Sequence, residues 1–144
     1  WRIFAKHPLL GVGLGNSGQF ALAEISHWGW EFTESRRLLF AETFLPNTKN
    51  LWTRLLSETG LVGFAFFIAW LIVLWSSTRN LHASALPQDR TVGLAGQLAL
   101  IGLFVEGFSV DSFAMPYWWV KFGLLTAASF LNRLEGTHAS EKKK

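Results

Sequence analysis

The chain has 144 residues, 50% of them hydrophobic, with 13 Phe, 8 Trp and only 16% charged side chains, against about 25% charged in an ordinary soluble domain. That balance excludes a disordered chain and argues against a soluble enzyme, and the lack of cysteine excludes disulfides, thiolate metal sites and cysteine nucleophiles. The formal net charge of +3 is no signal for nucleic acid, since three of the 13 basic residues are the tail Lys142, Lys143 and Lys144.

The apolar residues are unevenly placed. Residues 1–60 hold 11 of the 23 charged side chains, whereas 61–75 hold none. Opening at Trp1 in mid-pattern, the chain reads as part of a longer protein with further helices upstream. Residues 7–18 form a glycine-rich turn region, and 19–44 are an aromatic, charged stretch better suited to short helices than to strands. Pro46 and Asn47 mark a turn. Residues 50–59 then read as a helix closed by Gly60. Its apolar face is Leu51, Trp52, Leu55 and Leu56, and its polar stripe is Asn50, Arg54 and Glu58.

Three apolar segments follow. Residues 61–78 are long enough, at roughly 27 Å, to cross a hydrocarbon layer of about 30 Å. Residues 92–110 contain Gln97 and Glu106 together with Gly93, Gly96 and Gly102, which suits a helix packed inside a bundle. Residues 117–134 open with Tyr117, Trp118 and Trp119, aromatic residues typical of a membrane interface. Arg79, Arg90 and Arg133 flank the inner ends, and the 111–116 link has no Lys or Arg. The positive-inside rule therefore places 79–90 and the C-terminus in the cytoplasm and residues 1–60 outside. The expected fold is an all-α membrane protein, a polytopic helical bundle. It has a partly helical external loop (1–60), three transmembrane helices (61–134) and a cytoplasmic tail (135–144) whose lysines meet anionic lipid.

Two motifs carry chemistry. Gly13-Leu14-Gly15-Asn16-Ser17-Gly18 matches G-x-G-x-x-G but lacks the strand–turn–helix context of a dinucleotide site. It reads as a structural turn or as a turn whose backbone N–H groups face a phosphate. The second motif is a polar turn, a short helix, a Gly60-x-x-Gly63 corner and a membrane span. On that helix Arg54 either pairs with Glu58 at i,i+4 or binds phosphate. Arg36 and Arg37 are adjacent and point in different directions on a helix, one of them a candidate to reach a substrate; His7, before Pro8, either shapes its turn or does acid–base work. Glu106 lies about one turn inside the outer end of its span, a depth that makes it a functional candidate. It either pairs with Lys121 or lines a cavity for the acceptor sugar or a carrier head group.

Taken together, His7-Pro8-Leu9-Leu10-Gly11-Val12-Gly13-Leu14-Gly15-Asn16 and Asn50, nine residues, then Gly60 and Gly63 resemble the C-terminal part of the O-antigen ligase and O-antigen polymerase family. The resemblance covers roughly residues 3–132. It implies an inner-membrane glycosyltransferase that takes glycan from an undecaprenyl-pyrophosphate carrier on the periplasmic side. The acceptor would be the lipid A core or another glycan; the other partners are membrane lipids, and no metal or cofactor is implied. By this resemblance Lys49 and Asn50 are the catalytic candidates, and Arg54, Arg36, Arg37 and Glu106 bind substrate. Ligases of the family usually carry His where this sequence has Lys49. Bringing a lysine from about 10.4 down to about 7 costs roughly 4–5 kcal/mol, so Lys49 suits a fixed cation for the pyrophosphate better than a base; a plain surface cation is the other reading. Two alternatives to the enzyme remain: a transporter or flippase of lipid-linked glycan, with Glu106 and Lys121 as coupling groups, and a non-catalytic membrane relative.

Overall fold

The computed structural model describes residues 1–24, 49–110 and 115–141, with the single positions 31, 33 and 37. The expectations for the rest of 19–44, for the Pro46 turn, for Arg36, for most of the 111–116 link and for the last three lysines lie outside the described residues. Among those described the chain is all-helical and has no strand. Its elements are α1 (Arg2–Lys6), α2 (Ser17–Glu24), α3 (Leu51–His82), α4 (Pro87–Glu106) and α5 (Pro116–Glu141). They divide between two compact units, Trp1–Phe67 with Gly107–Asp111, and Ile68–Glu106 with Ser112–Lys144.

The first unit is organised by a break in α3. Gly60 sits at φ 64° and ψ −166°, far from helical values, so the helix stops and restarts there. A stop of this kind strands carbonyls on one side and N–H groups on the other. Residues 8–13 satisfy both sets. The Val12 and Gly13 N–H groups donate to the Ser57 and Glu58 carbonyls at 3.0 and 2.8 Å, and Leu61 and Val62 donate to the Pro8 and Leu9 carbonyls at 2.8 and 3.2 Å. The two chain segments touch backbone to backbone. A Cβ on Gly60 would lie 2.3 Å from the Leu9 oxygen, and one on Gly11 would lie 2.4 Å from the Glu58 carbonyl.

The start of α3 is held with equal economy. Asn50 caps it, its Oδ1 accepting from the Thr53 N–H at 3.0 Å, and the Leu51 N–H donates to the Gly107 carbonyl at 2.8 Å. Leu51 and Leu55 are buried, and the Trp52 ring meets Phe64, Phe67 and Phe108 at centroid distances of 6.5, 6.3 and 6.0 Å.

The second unit packs by close approach of helices. A Cβ on Gly93 would lie 2.3 Å from the His82 backbone nitrogen, and one on Gly96 would lie 2.5 Å from the Thr78 methyl group. Thr78 is fully buried between them; its hydroxyl donates to the Trp75 carbonyl one turn back at 2.8 Å. Leu74 and Leu81 of α3, Leu100 and Leu103 of α4 and Trp118, Phe122 and Leu125 of α5 are the apolar core. Trp70 joins them, 5.4 Å from the Phe122 ring. Pro87 opens α4, where its missing N–H costs nothing. Asp89 in that first turn accepts from the Ser84 hydroxyl at 2.9 Å and from the Asn132 amide.

Three transmembrane helices are expected from the sequence, but among the described residues one helix, Leu51–His82, is long and apolar enough to cross a membrane. The second segment differs from expectation in both position and composition. α4 starts at Pro87 and ends at Glu106 rather than running to Val110, so it gains Asp89 and Arg90 and loses an apolar end. α5 continues to Glu141 and includes Lys121 and Arg133.

Candidate functional site

The polar stripe of α3 and the glycine-rich loop meet at one carboxylate. Glu58 is 2% exposed and is the single buried charged residue among those described. Its Oε2 accepts from the Gly15 N–H at 2.9 Å, and its Oε1 accepts from the Ser17 hydroxyl at 2.6 Å. The Nε of Arg54 stands 3.1 Å from the same Oε1, an ion pair by distance without the alignment of a hydrogen bond. Ser17 is itself 4% exposed. The sequence names Glu58 only as a helix neighbour of Arg54; its place as the hub of the loop, and the parts of Gly15 and Ser17, are not visible there. The one available signal is an acid two residues before a glycine stop.

This geometry gives the glycine motif a structural part. No strand precedes it, so it lacks the dinucleotide-binding frame. Five of its N–H groups are committed: Gly11 donates to the His7 carbonyl, Val12 and Gly13 to α3, Asn16 to the Gly13 carbonyl and Gly15 to Glu58. The loop is a strap on the helix break. His7 fits its expected part in the turn, and its ring lies edge-on to Phe20 at 5.9 Å.

The other candidate residues fall as follows. Lys49 is exposed, immediately before the cap of α3. Asn50 is used at both ends of its amide, since besides capping the helix its Nδ2 donates to the Phe108 carbonyl at 3.1 Å. Arg54 projects from the same helix with 16% of its side chain exposed. Arg37 is exposed, and Arg36 lies outside the described residues. Lys49, Asn50 and Arg54 are thus brought together with Glu58 in the first unit.

Glu106 belongs to the second unit, and there its partner differs from the expected Lys121. The Tyr117 hydroxyl donates to Glu106 Oε1 at 3.2 Å. Lys121 folds back over its own helix, 5.0 Å from the Tyr117 ring centroid and 4.9 Å from that of Trp118. Residues 117 and 121 are one turn apart, so the ammonium reaches the ring face without extending across to α4. A groove of about 700 Å³ lies beside Lys121, floored by Ala95, Gly96, Ala99 and Ala128. Among the described residues no group of three His, Cys, Asp or Glu is placed to hold a metal ion.

The first unit therefore offers a guanidinium with a buried counter-charge on a helix whose start and stop are both pinned by other segments. Such a site can bind and orient an anion. No family model, curated protein or solved structure matches the chain.

Proposed function

We propose that the chain is the carrier-binding part of an integral membrane glycosyltransferase of the O-antigen ligase and polymerase type, which moves glycan from undecaprenyl pyrophosphate to an acceptor hydroxyl. One observation carries this reading. The two motifs behind the resemblance, residues 7–16 and 50–63, are separated by 33 residues of sequence yet are joined by four backbone hydrogen bonds across the Gly60 break. Motifs that act independently have no cause to meet.

The surface supports a membrane setting. Phe66, Ile72, Leu98, Phe104, Leu124 and Phe130 are each more than half exposed, an arrangement that water penalises and lipid does not. In this proposal α3 beyond Gly60, α4 and α5 cross the bilayer. The residues after the break, 61–82, would reach roughly 33 Å. Arg79, Arg90 and Arg133 then lie at the cytoplasmic side and Lys49 and Arg54 at the outer side.

The chemistry is a displacement at the anomeric carbon. The acceptor oxygen forms its bond to that carbon, the bond to the pyrophosphate oxygen breaks, and the acceptor proton passes to a general base, a group not among those assigned here. Arg54 and Lys49, with Arg36 or Arg37, hold the phosphates as negative charge grows on the leaving group. Asn50 acts by fixing the helix start that carries them.

The test is the whole protein with Lys49→Ala and, separately, Arg54→Ala. Both variants should insert normally and fail to attach or extend surface glycan. Unchanged glycan in both removes the proposal. A Lys49→Cys substitution in a cysteine-free version of the whole protein also reports topology, and labelling from the cytoplasmic side alone would be equally fatal.

A further inference from the structure

The hydrogen bonds around Glu58 raise a question of charge. Two of its three described partners are neutral, the Gly15 N–H on Oε2 and the Ser17 hydroxyl on Oε1; a glutamine keeps the first with its amide oxygen and the second once the hydroxyl turns to accept from its NH2. Only Arg54, at 3.1 Å, calls for the negative charge. A carboxylate that is 2% exposed has given up its hydration, and a buried ion is kept at that cost only where its partners and geometry compensate. An exposed i,i+4 pair would do little of this kind, being worth a few tenths of a kcal/mol.

We infer that Glu58 is a positioning residue of the carrier site: through its buried carboxylate it fixes the rotation of the Arg54 guanidinium and ties that rotation to the glycine strap, so that the pyrophosphate meets a pre-set cation. The inference rests on the reading of Arg54 as a phosphate ligand. Arginine is suited to this use because its planar fork loses little freedom per bond once oriented, and a group oriented before the ligand arrives does not charge that ordering to binding. The arrangement also gives a glycine-rich segment that is bonded to α3 a part at a phosphate site. It acts on the anion through Glu58 and Arg54, one residue removed.

The experiment is equilibrium binding of undecaprenyl pyrophosphate, without sugar, to the full protein in lipid nanodiscs. Arg54→Ala should weaken binding by about tenfold or more, as expected for loss of a charge-assisted contact. Glu58→Gln should weaken it by about tenfold with the thermal midpoint nearly unchanged. In the Arg54→Ala background, Glu58→Gln should weaken it no further, because its effect passes through the arginine. Arg54→Lys keeps the charge but loses the Nε geometry, and it should follow Glu58→Gln; it carries the test should Glu58→Gln fail to fold. Two results overturn the inference while leaving the carrier site standing: parental affinity in Glu58→Gln or Arg54→Lys, and an equal loss from Glu58→Gln with and without Arg54. Parental affinity in Arg54→Ala is a different failure, since it removes the phosphate role of Arg54 and with it the basis for Glu58.

Discussion

Glycine does two different jobs in the two units. In the first, Gly60 takes a left-handed φ of 64° and lets a second strand of chain cross the helix at backbone distance. In the second, Gly93 and Gly96 lie inside a regular helix, and what they give is room for a neighbouring helix. The first unit is held by hydrogen bonds that complete an interrupted helix, and the second by contact between uninterrupted ones. A break needs partners for its stranded N–H and carbonyl groups, which the 8–13 segment provides. An intact helix needs none, so its sequence is free to be apolar on all sides.

The largest effect should come from Gly60→Ala. The substitution adds the cost of left-handed backbone for a residue with a Cβ, about 1–2 kcal/mol, to a clash at 2.3 Å with the Leu9 carbonyl, which is backbone and cannot rotate away. A loss of roughly 3–5 kcal/mol is expected, seen as protease sensitivity of the 8–16 segment and a lowered thermal midpoint in detergent. A normal midpoint would mean that the strap does not hold the break. Gly93→Ala tests the other unit. There the φ is ordinary and the clash alone acts, at 2.3 Å from the His82 nitrogen and 2.7 Å from the Thr78 oxygen. The helices must part slightly, for about 2–3 kcal/mol, and the 8–16 segment should stay resistant to protease. Should Gly93→Ala expose that segment too, the two units do not respond separately.

Asn50→Ala should cost about 1–2 kcal/mol, from the lost cap and the stranded Phe108 carbonyl. Asn50→Asp should recover the cap and not the second bond, a partial rescue measurable by the same melt. This residue also shows what sequence can convey. That a helix begins at Asn50 and stops at Gly60 is legible, because caps and glycine stops act on their immediate neighbours. That Asn50 also reaches Phe108, 58 residues on, is not, and neither is the strap. A bond between two backbones places no demand on side-chain identity beyond the glycines that let them approach, so Pro8 and Leu9 carry no mark of their partners. The expected Glu106–Lys121 pair is absent for another reason. Opposite charges near the same end of two helices invite pairing, but an aromatic ring one turn from Lys121 offers its face without any reach across. All-helical character was readable throughout because it depends on local propensity and hydropathy alone. Three membrane spans were not equally secure, since they depended on where α4 begins, and Pro87 sets that start five residues before the apolar run.

The smallest effect should have the opposite sign. Gly123 lies within α5, and a Cβ placed there meets nothing within 4 Å. Neither reason found elsewhere for a glycine applies: its φ is not left-handed, and no described residue crowds it. Alanine is the better helix former by up to about 1 kcal/mol, so Gly123→Ala should raise the thermal midpoint slightly in detergent, where that face is free. If Gly123→Ala instead lowers the midpoint in the full protein, something outside the described residues approaches α5 at this position. Gly123 would then join Gly93 and Gly96 as a site of helix contact, and the face of α5 around it would have to be counted as interior.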